Sequence, residues 1–150
     1  MTTNEPAWES LDQMAEATAA GLAQAAASAA FRLFRDKQFR RLAGIERLSQ
    51  AEQDRIFNEL VVASIVLIML LLEAPDLRVV GEFQDYLAGL NKRIPKAYVD
   101  HLGTLGVEAN HLRDWEKLIA MRYDEYARDR HDVRAAAMQI ESAEKSLDLD

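Results

Sequence analysis

The segment Leu60–Leu72, LVVASIVLIMLLL, decides the fold of this 150-residue chain. It contains 13 residues without a charge and is bracketed by Glu59 and Glu73. As a helix it is ~20 Å long, whereas the hydrocarbon core of a bilayer is ~30 Å thick. We therefore interpret it as a helix buried in a protein core, and we expect no interaction with a membrane.

Clear helix boundaries flank this segment. Ser49 and Glu52 have the spacing of a capping box, in which each side chain accepts a hydrogen bond from the other residue's backbone N–H. At the other end Ala74-Pro75 stops the helix, because a proline disfavours the helical conformation in the residue before it. The pattern predicts a hydrophobic central helix over about 50–73.

The rest of the chain also favours helix, and no stretch alternates between apolar and polar residues as a strand does. We predict a first helix from Trp8 to about Leu42, closed by Gly44. Further helices are predicted over 76–90, over 95–102 and from about 108 past 140. The fold class is thus a single all-α domain over residues 1–150, a bundle of four to six helices with frayed termini at 1–7 and 143–150.

Small residues are concentrated in the first predicted helix, which has ten Ala over residues 15–30. Ala17, Gly21, Ala25 and Ala29 recur every four residues and therefore share one face. Small residues let a neighbouring helix approach closely, and large side chains interlock well with them. We predict that this face packs against the central helix.

A helix that is apolar all round needs cover on every side. Leaving three or four of its large side chains in water costs about 1.5–3 kcal/mol each, a total that rivals the ~5–15 kcal/mol stability of a domain. Four substantial helices leave each helix one outward face. We therefore favour a homo-oligomer, most simply a two-fold dimer, over a monomer with a fully surrounded helix. The predicted interaction residues are Leu60, Ile65, Ile68, Leu71, Gly21 and Ala25.

Composition and charge exclude several classes of protein. The chain has no Cys, which removes disulfide scaffolds, thiolate catalysis and Cys-ligated metal sites. Its first sixteen residues carry four acidic side chains, and no Lys or Arg precedes Arg32. Secretory and transit peptides have the opposite charge, so we expect a cytoplasmic, bacterial protein.

Positive charge is concentrated in residues 32–47, where the net charge is +4 within a chain of net charge −7. Such a cluster suits contact with phosphates or with an acidic partner. It also forms the C-terminal end of the first predicted helix, where cations interact favourably with the helix dipole. Because the rest of the chain carries −11, we favour the structural role and expect no binding to nucleic acid.

Glu108 and His111 have the Glu-x-x-His spacing of di-iron carboxylate bundles. Such a centre needs a second copy of the motif, and neither His101 nor His131 has a Glu three residues before it. A metal site at Glu108 and His111 is therefore an alternative to the simpler interpretation, a capping acid followed by a surface histidine.

The stretch from His101 through Gly106-Val107 to His111 resembles the segment of globins that runs from the proximal haem histidine into the following helix. The resemblance covers about twelve residues. It implies a haem-binding helical protein in which His101 is the iron ligand. The same residues also fit a glycine-rich turn between two helices.

The sequence has no nucleophile with a local base, no phosphate-binding loop and no dinucleotide fingerprint. We therefore expect no catalytic residues and no resident cofactor. The function predicted from the sequence is that of a non-catalytic, self-associating helical interaction or scaffold protein. The alternative is a helical bundle that binds haem through His101, or a metal through Glu108 and His111.

Overall fold

A computed structural model of the protein describes residues 10–73 and 81–148. Within these ranges the chain forms five α-helices, one short 3-10 turn and no strand. In chain order they are α1 (Leu11–Arg35), α2 (Lys37–Leu42), the 3-10 turn Ile45–Arg47, α3 (Gln50–Leu72), α4 (Gly81–Thr104) and α5 (Ala109–Asp148). The predicted all-α bundle of four to six helices around a hydrophobic central helix is confirmed.

The boundaries of α3 follow the sequence signals. The Ser49 hydroxyl accepts from the Glu52 amide at 3.2 Å, and the Glu52 carboxylate accepts from the Ser49 amide at 3.1 Å, so the capping box is complete. The helix ends at Leu72, and Glu73 is its C-cap. Residues 74–80 lie outside the described ranges, as do residues 1–9 and 149–150.

The predicted first helix is wrong in one respect, because it breaks at Asp36. This residue has an extended backbone (φ −63°, ψ 125°), and its carboxylate accepts from the Phe39 amide at 2.8 Å, which starts α2. Asp competes in this way with helical hydrogen bonds. At the other end of α2 the prediction holds, since Gly44 takes the left-handed conformation (φ 66°) that closes the helix.

A second correction concerns Pro95, which was predicted to start a new helix. α4 instead continues through it from Gly81 to Thr104. The ring removes one backbone hydrogen bond, a cost of about 3 kcal/mol in a helix interior. Leu90, Ile94 and Tyr98 lie on both sides of this position and are all buried in the same core, so their packing holds the helix together.

α5 continues past residue 140, as predicted. The helix runs to Asp148, and the fraying expected over 143–150 stays a prediction. Its N-terminal part packs on the bundle through Ile119, which is 1% exposed, and through Trp115, whose ring meets Tyr98 edge-on at 5.5 Å.

The core lies between α1, α3, α4 and α5. α3 contributes its largest part, the buried side chains of Val61, Val62, Ile65, Val66, Met69 and Leu70. From α1 the buried residues are all alanines: Ala15, Ala19, Ala23, Ala26 and Ala30. The small methyl groups of these alanines bring the backbone of α1 close to its neighbours, and α1 packs closely against both α3 and α4.

The small-residue face was therefore assigned to the wrong side of α1. Ala17, Gly21, Ala25 and Ala29 are exposed, and a Cβ atom added at Gly21 would meet no other atom within 4 Å. The first helix does pack closely on the central helix, as predicted, but Gly21 and Ala25 are not the residues that do so. Their predicted role in self-association stays a prediction. α1 is rich in alanine on both faces, so spacing alone did not distinguish the buried face from the exposed one.

We expect adjacent alanines of α1 to respond in opposite ways to enlargement. Ala26→Leu places three extra carbons in a filled core and should lower the free energy of unfolding by about 1–3 kcal/mol. Ala25→Leu adds them on the solvent side and should change it by less than about 0.5 kcal/mol. Urea denaturation of both variants measures the difference, and equal losses would contradict the assignment of faces.

Candidate functional site

A groove in the surface between α3 and α5 exposes apolar side chains. Its volume is about 420 Å³, and its lining residues are Leu67, Leu70, Leu71, Tyr126, Asp129, Arg130 and Val133. Leu67 is 55% exposed and Leu71 and Val133 are each 68% exposed. α1, α4 and α5 cover the other sides of α3, so this groove, which we call the apolar groove, is where its cover is incomplete.

The second part of the site is the C-terminal half of α5. Residues 131–145 are all exposed, so the helix continues beyond the bundle as an arm, which we define as residues 131–148. Val133, Ala137 and Ile140 follow one another at steps of four and three and therefore form a stripe along the arm. Ile140 is 59% exposed, and the stripe begins at the Val133 edge of the apolar groove.

The structure divides the predicted interaction residues of α3. Ile65 is fully buried in the core of the single chain, and Leu60 and Ile68 are half-buried against it. Leu71 is exposed and lines the apolar groove. Leu67 and the arm residues were not predicted as part of this surface, although Val133 and Ile140 recur at helical spacing in the sequence.

An interhelical ion pair fixes α5 beside α3. The Arg122 guanidinium donates to both carboxylate oxygens of Glu59, from Nε at 2.9 Å and from Nη2 at 2.7 Å. Its Nη1 donates to Glu125 at 2.9 Å. The hydrogen bonds and charge of Arg122 lower the pKa of Glu59 below its ordinary value, against the opposing effect of burial. This bidentate pair positions the α5 side of the apolar groove.

Polar contacts also close the end of α3 next to the groove. The Glu73 carboxylate accepts hydrogen bonds from the Asn91 amide and from the Tyr123 hydroxyl. Arg130 Nη1 donates to the Leu70 carbonyl at 2.8 Å, and the Glu73 amide donates to the same oxygen at 3.3 Å. Burial, together with Glu73, raises the pKa of Tyr123 to about 12. The C-terminal wall of the groove is therefore built by defined hydrogen bonds.

The predicted haem and metal residues lie elsewhere, around the turn between α4 and α5. Gly106 takes a left-handed conformation (φ 93°), while the Val107 amide donates to the Leu102 carbonyl at 3.1 Å. This is the hydrogen-bond pattern of a Schellman helix end, so the turn accounts for the glycine. His101, in the last turn of α4, is half-buried.

Glu108 and His111 are exposed at the start of α5. Among residues 10–73 and 81–148 no three His, Cys, Asp or Glu side chains are grouped so that they can hold a metal ion. The side chain of Glu82 is not among the described ones, so this statement does not include it. The metal alternative gains no third ligand from the part of the chain that the structure describes.

Within the same ranges α3 is the one helix that is long and apolar enough to cross a membrane by length and composition. The core helix of a soluble protein passes the same test, and six residues of α3 are buried among the other helices. Length and composition therefore do not distinguish a spanning helix from this central one.

Comparison with known proteins identifies no relative: no family model, no curated protein and no solved structure matches this chain.

We expect the Glu59–Arg122 pair to make stability depend on pH in the acidic range. A carboxylate whose pKa is lowered by folding stabilises the protein above its unfolded pKa of about 4.3, and this contribution is lost as the pH falls through the lower, folded value. Glu59→Gln should therefore be less stable than the parent at pH 7, and the gap should close in strong acid. Urea denaturation at several pH values, with the exposed Glu116→Gln as control, measures this gap, and a constant gap would contradict the pair.

Proposed function

We propose that this protein is a non-catalytic interaction protein that self-associates through the apolar groove and the arm, forming a two-fold dimer. The observation that carries the proposal is the incomplete cover of α3. The single chain leaves Leu67 and Leu71 more than half exposed. Val133 and Ile140 on the arm are also more than half exposed. Full burial of an exposed large side chain is worth about 1.5–3 kcal/mol, so covering the exposed parts of these four side chains favours association.

A second copy of the chain is the occupant that fits best, because each copy carries both a groove and an arm. In a two-fold contact the arm of each copy lies along the groove of the other. Both copies therefore use the same surface, formed by the groove and the arm. Arms that cross in antiparallel order near Ala137 bring the last turns of one arm over Leu67 and Leu71 of the other copy. The Val133–Ile140 stripes then face each other along the shared part of the two arms.

Charge on the arm favours this antiparallel order. With the two-fold axis between Ala137 and Met138, Arg134 of each copy lies at the height of Glu141 of the other. A parallel order sets Arg134 beside Arg134 and Glu141 beside Glu141, and like charges at such positions are unfavourable. The same surface suits lipid poorly, because Asp129 and Arg130 line the groove beside the exposed leucines.

The available area corresponds to a modest interface. A helix of 18 residues is ~27 Å long, and at ~10 Å diameter it has a lateral surface of roughly 850 Å². If the partner covers half of that, each copy buries on the order of 400 Å² on its arm, and the exposed parts of Leu67 and Leu71 add to this area. The total is below the ~800 Å² per partner of a standard stable interface, which fits a concentration-dependent association.

Light scattering on a gel-filtration column tests the proposal. At tens of micromolar we expect twice the chain mass of 16.9 kDa. Val133→Glu and Ile140→Glu each place a carboxylate in the contact between arms and should return the protein to 16.9 kDa, with the helical circular dichroism unchanged because both positions are exposed in the single chain.

Leu105→Glu is the matched control, because Leu105 is also 68% exposed but lies in the turn between α4 and α5, away from the arm. It should remain dimeric. A parent protein that elutes at 16.9 kDa throughout the micromolar range, or that partitions into phospholipid vesicles in place of pairing, would overturn the proposal.

A further inference from the structure

A second groove, lined by basic rather than apolar side chains, lies between α2 and the 3-10 turn. Its volume is about 460 Å³. Its lining residues are Lys37, Arg40, Arg41, Leu42, Ala43, Gly44, Glu46 and Arg47, so that four cations face one carboxylate. We call it the basic groove. The left-handed turn at Gly44 brings Arg47 back beside α2 and closes one end of the groove.

The cations of the basic groove have two different roles. Arg40 is held in place: it donates to Glu46 at 2.9 Å, to the Phe34 carbonyl at 3.0 Å and to Gln53 at 3.3 Å, and its guanidinium lies 4.9 Å from the centre of the Phe34 ring. Arg40 therefore neutralises the one acid of the groove and builds its wall. Lys37, Arg41 and Arg47 are all exposed and supply the remaining charge of +3.

The helix dipole does not explain this cluster. It favours Arg40 and Arg41, which lie in the last turn of α2, but it disfavours Lys37 at the first position of that helix. Lys37 and Arg41 also form an i, i+4 pair of like charges, which destabilises a helix by about 0.2–0.5 kcal/mol. Arg47 adds a further like charge from outside α2. A bound anion offsets this repulsion.

We propose that the basic groove binds an anion with two or more linked phosphate groups. Guanidinium groups match phosphate oxygens with paired hydrogen bonds, and the lysine adds a point charge. One phosphate monoester carries about −1.5 to −2 at pH 7, so two such groups balance the +3 of the groove. The volume lies within the ~300–1,000 Å³ range of small-molecule sites.

Titration calorimetry of the full-length protein with tripolyphosphate at low salt tests this proposal. We expect saturable binding that weakens as salt rises, and weaker binding of orthophosphate. The double variant Arg41→Gln/Arg47→Gln should bind at least tenfold more weakly. Arg113→Gln/Lys117→Gln makes the same charge change on the exposed surface of α5, and it should bind within twofold of the parent.

Glu46→Gln provides a test in the opposite direction. It removes the one carboxylate of the groove, whose side chain is 73% exposed, and should strengthen tripolyphosphate binding severalfold. No saturable binding of tripolyphosphate up to the millimolar range would overturn the proposal. Equal affinity of the parent and the Arg41/Arg47 double variant would overturn it as well.

Vesicles that contain phosphatidylinositol bisphosphate distinguish a lipid headgroup from a soluble source of the same phosphates. Binding to these vesicles that is displaced by free tripolyphosphate supports the basic groove as a site for phosphorylated headgroups. If free tripolyphosphate does not displace the vesicles, they bind the protein at a site other than the basic groove. That result would overturn a role of the basic groove in binding phosphorylated lipid headgroups.

Discussion

The need to cover α3 on every side is the constraint on which the rest of this structure depends. The helix carries 13 uncharged residues in succession, and α1, α4 and α5 each pack against it. The buried residues of α1 are all alanines, which lets the two backbones approach closely, and Phe31 and Phe34 of α1 meet Phe57 of α3 edge-on. α5 is fixed to it by the bidentate contact of Arg122 with Glu59, and α4 packs against both α1 and α5. Three helices leave one side partly open, and the apolar groove is that side.

Much of the fold was predictable from local signals. The capping box at Ser49 and the left-handed glycine at Gly44 are set by a few adjacent residues, and both are as predicted. The break at Asp36 and the unbroken helix at Pro95 were not predicted. In each case the local preference competes with another interaction: a side-chain cap ends α1 at Asp36, and burial of residues on both sides of Pro95 keeps α4 continuous.

The candidate site was predictable only in part, for a related reason. The hydrophobicity of α3 indicates that its surface must be covered, and it therefore pointed to Leu71 as an interaction residue. Which side stays open depends on where the other helices pack, and the repeated small residues of α1 suited both of its faces equally. Gly21 and Ala25 were placed on the wrong face for this reason. Sequence spacing alone selected His101, Glu108 and His111. Spacing does not show whether three ligands converge on one point in space.

The absence of cysteine from the chain allows the most direct test of the account, because a single introduced thiol reports its own exposure. Leu71→Cys should react slowly with a thiol reagent at high protein concentration and quickly after dilution, because the proposed dimer covers it. Leu42→Cys, at a position 76% exposed and remote from the apolar groove, should react quickly at every concentration. Equal, concentration-independent rates for the two variants would contradict the claim that association completes the cover of α3.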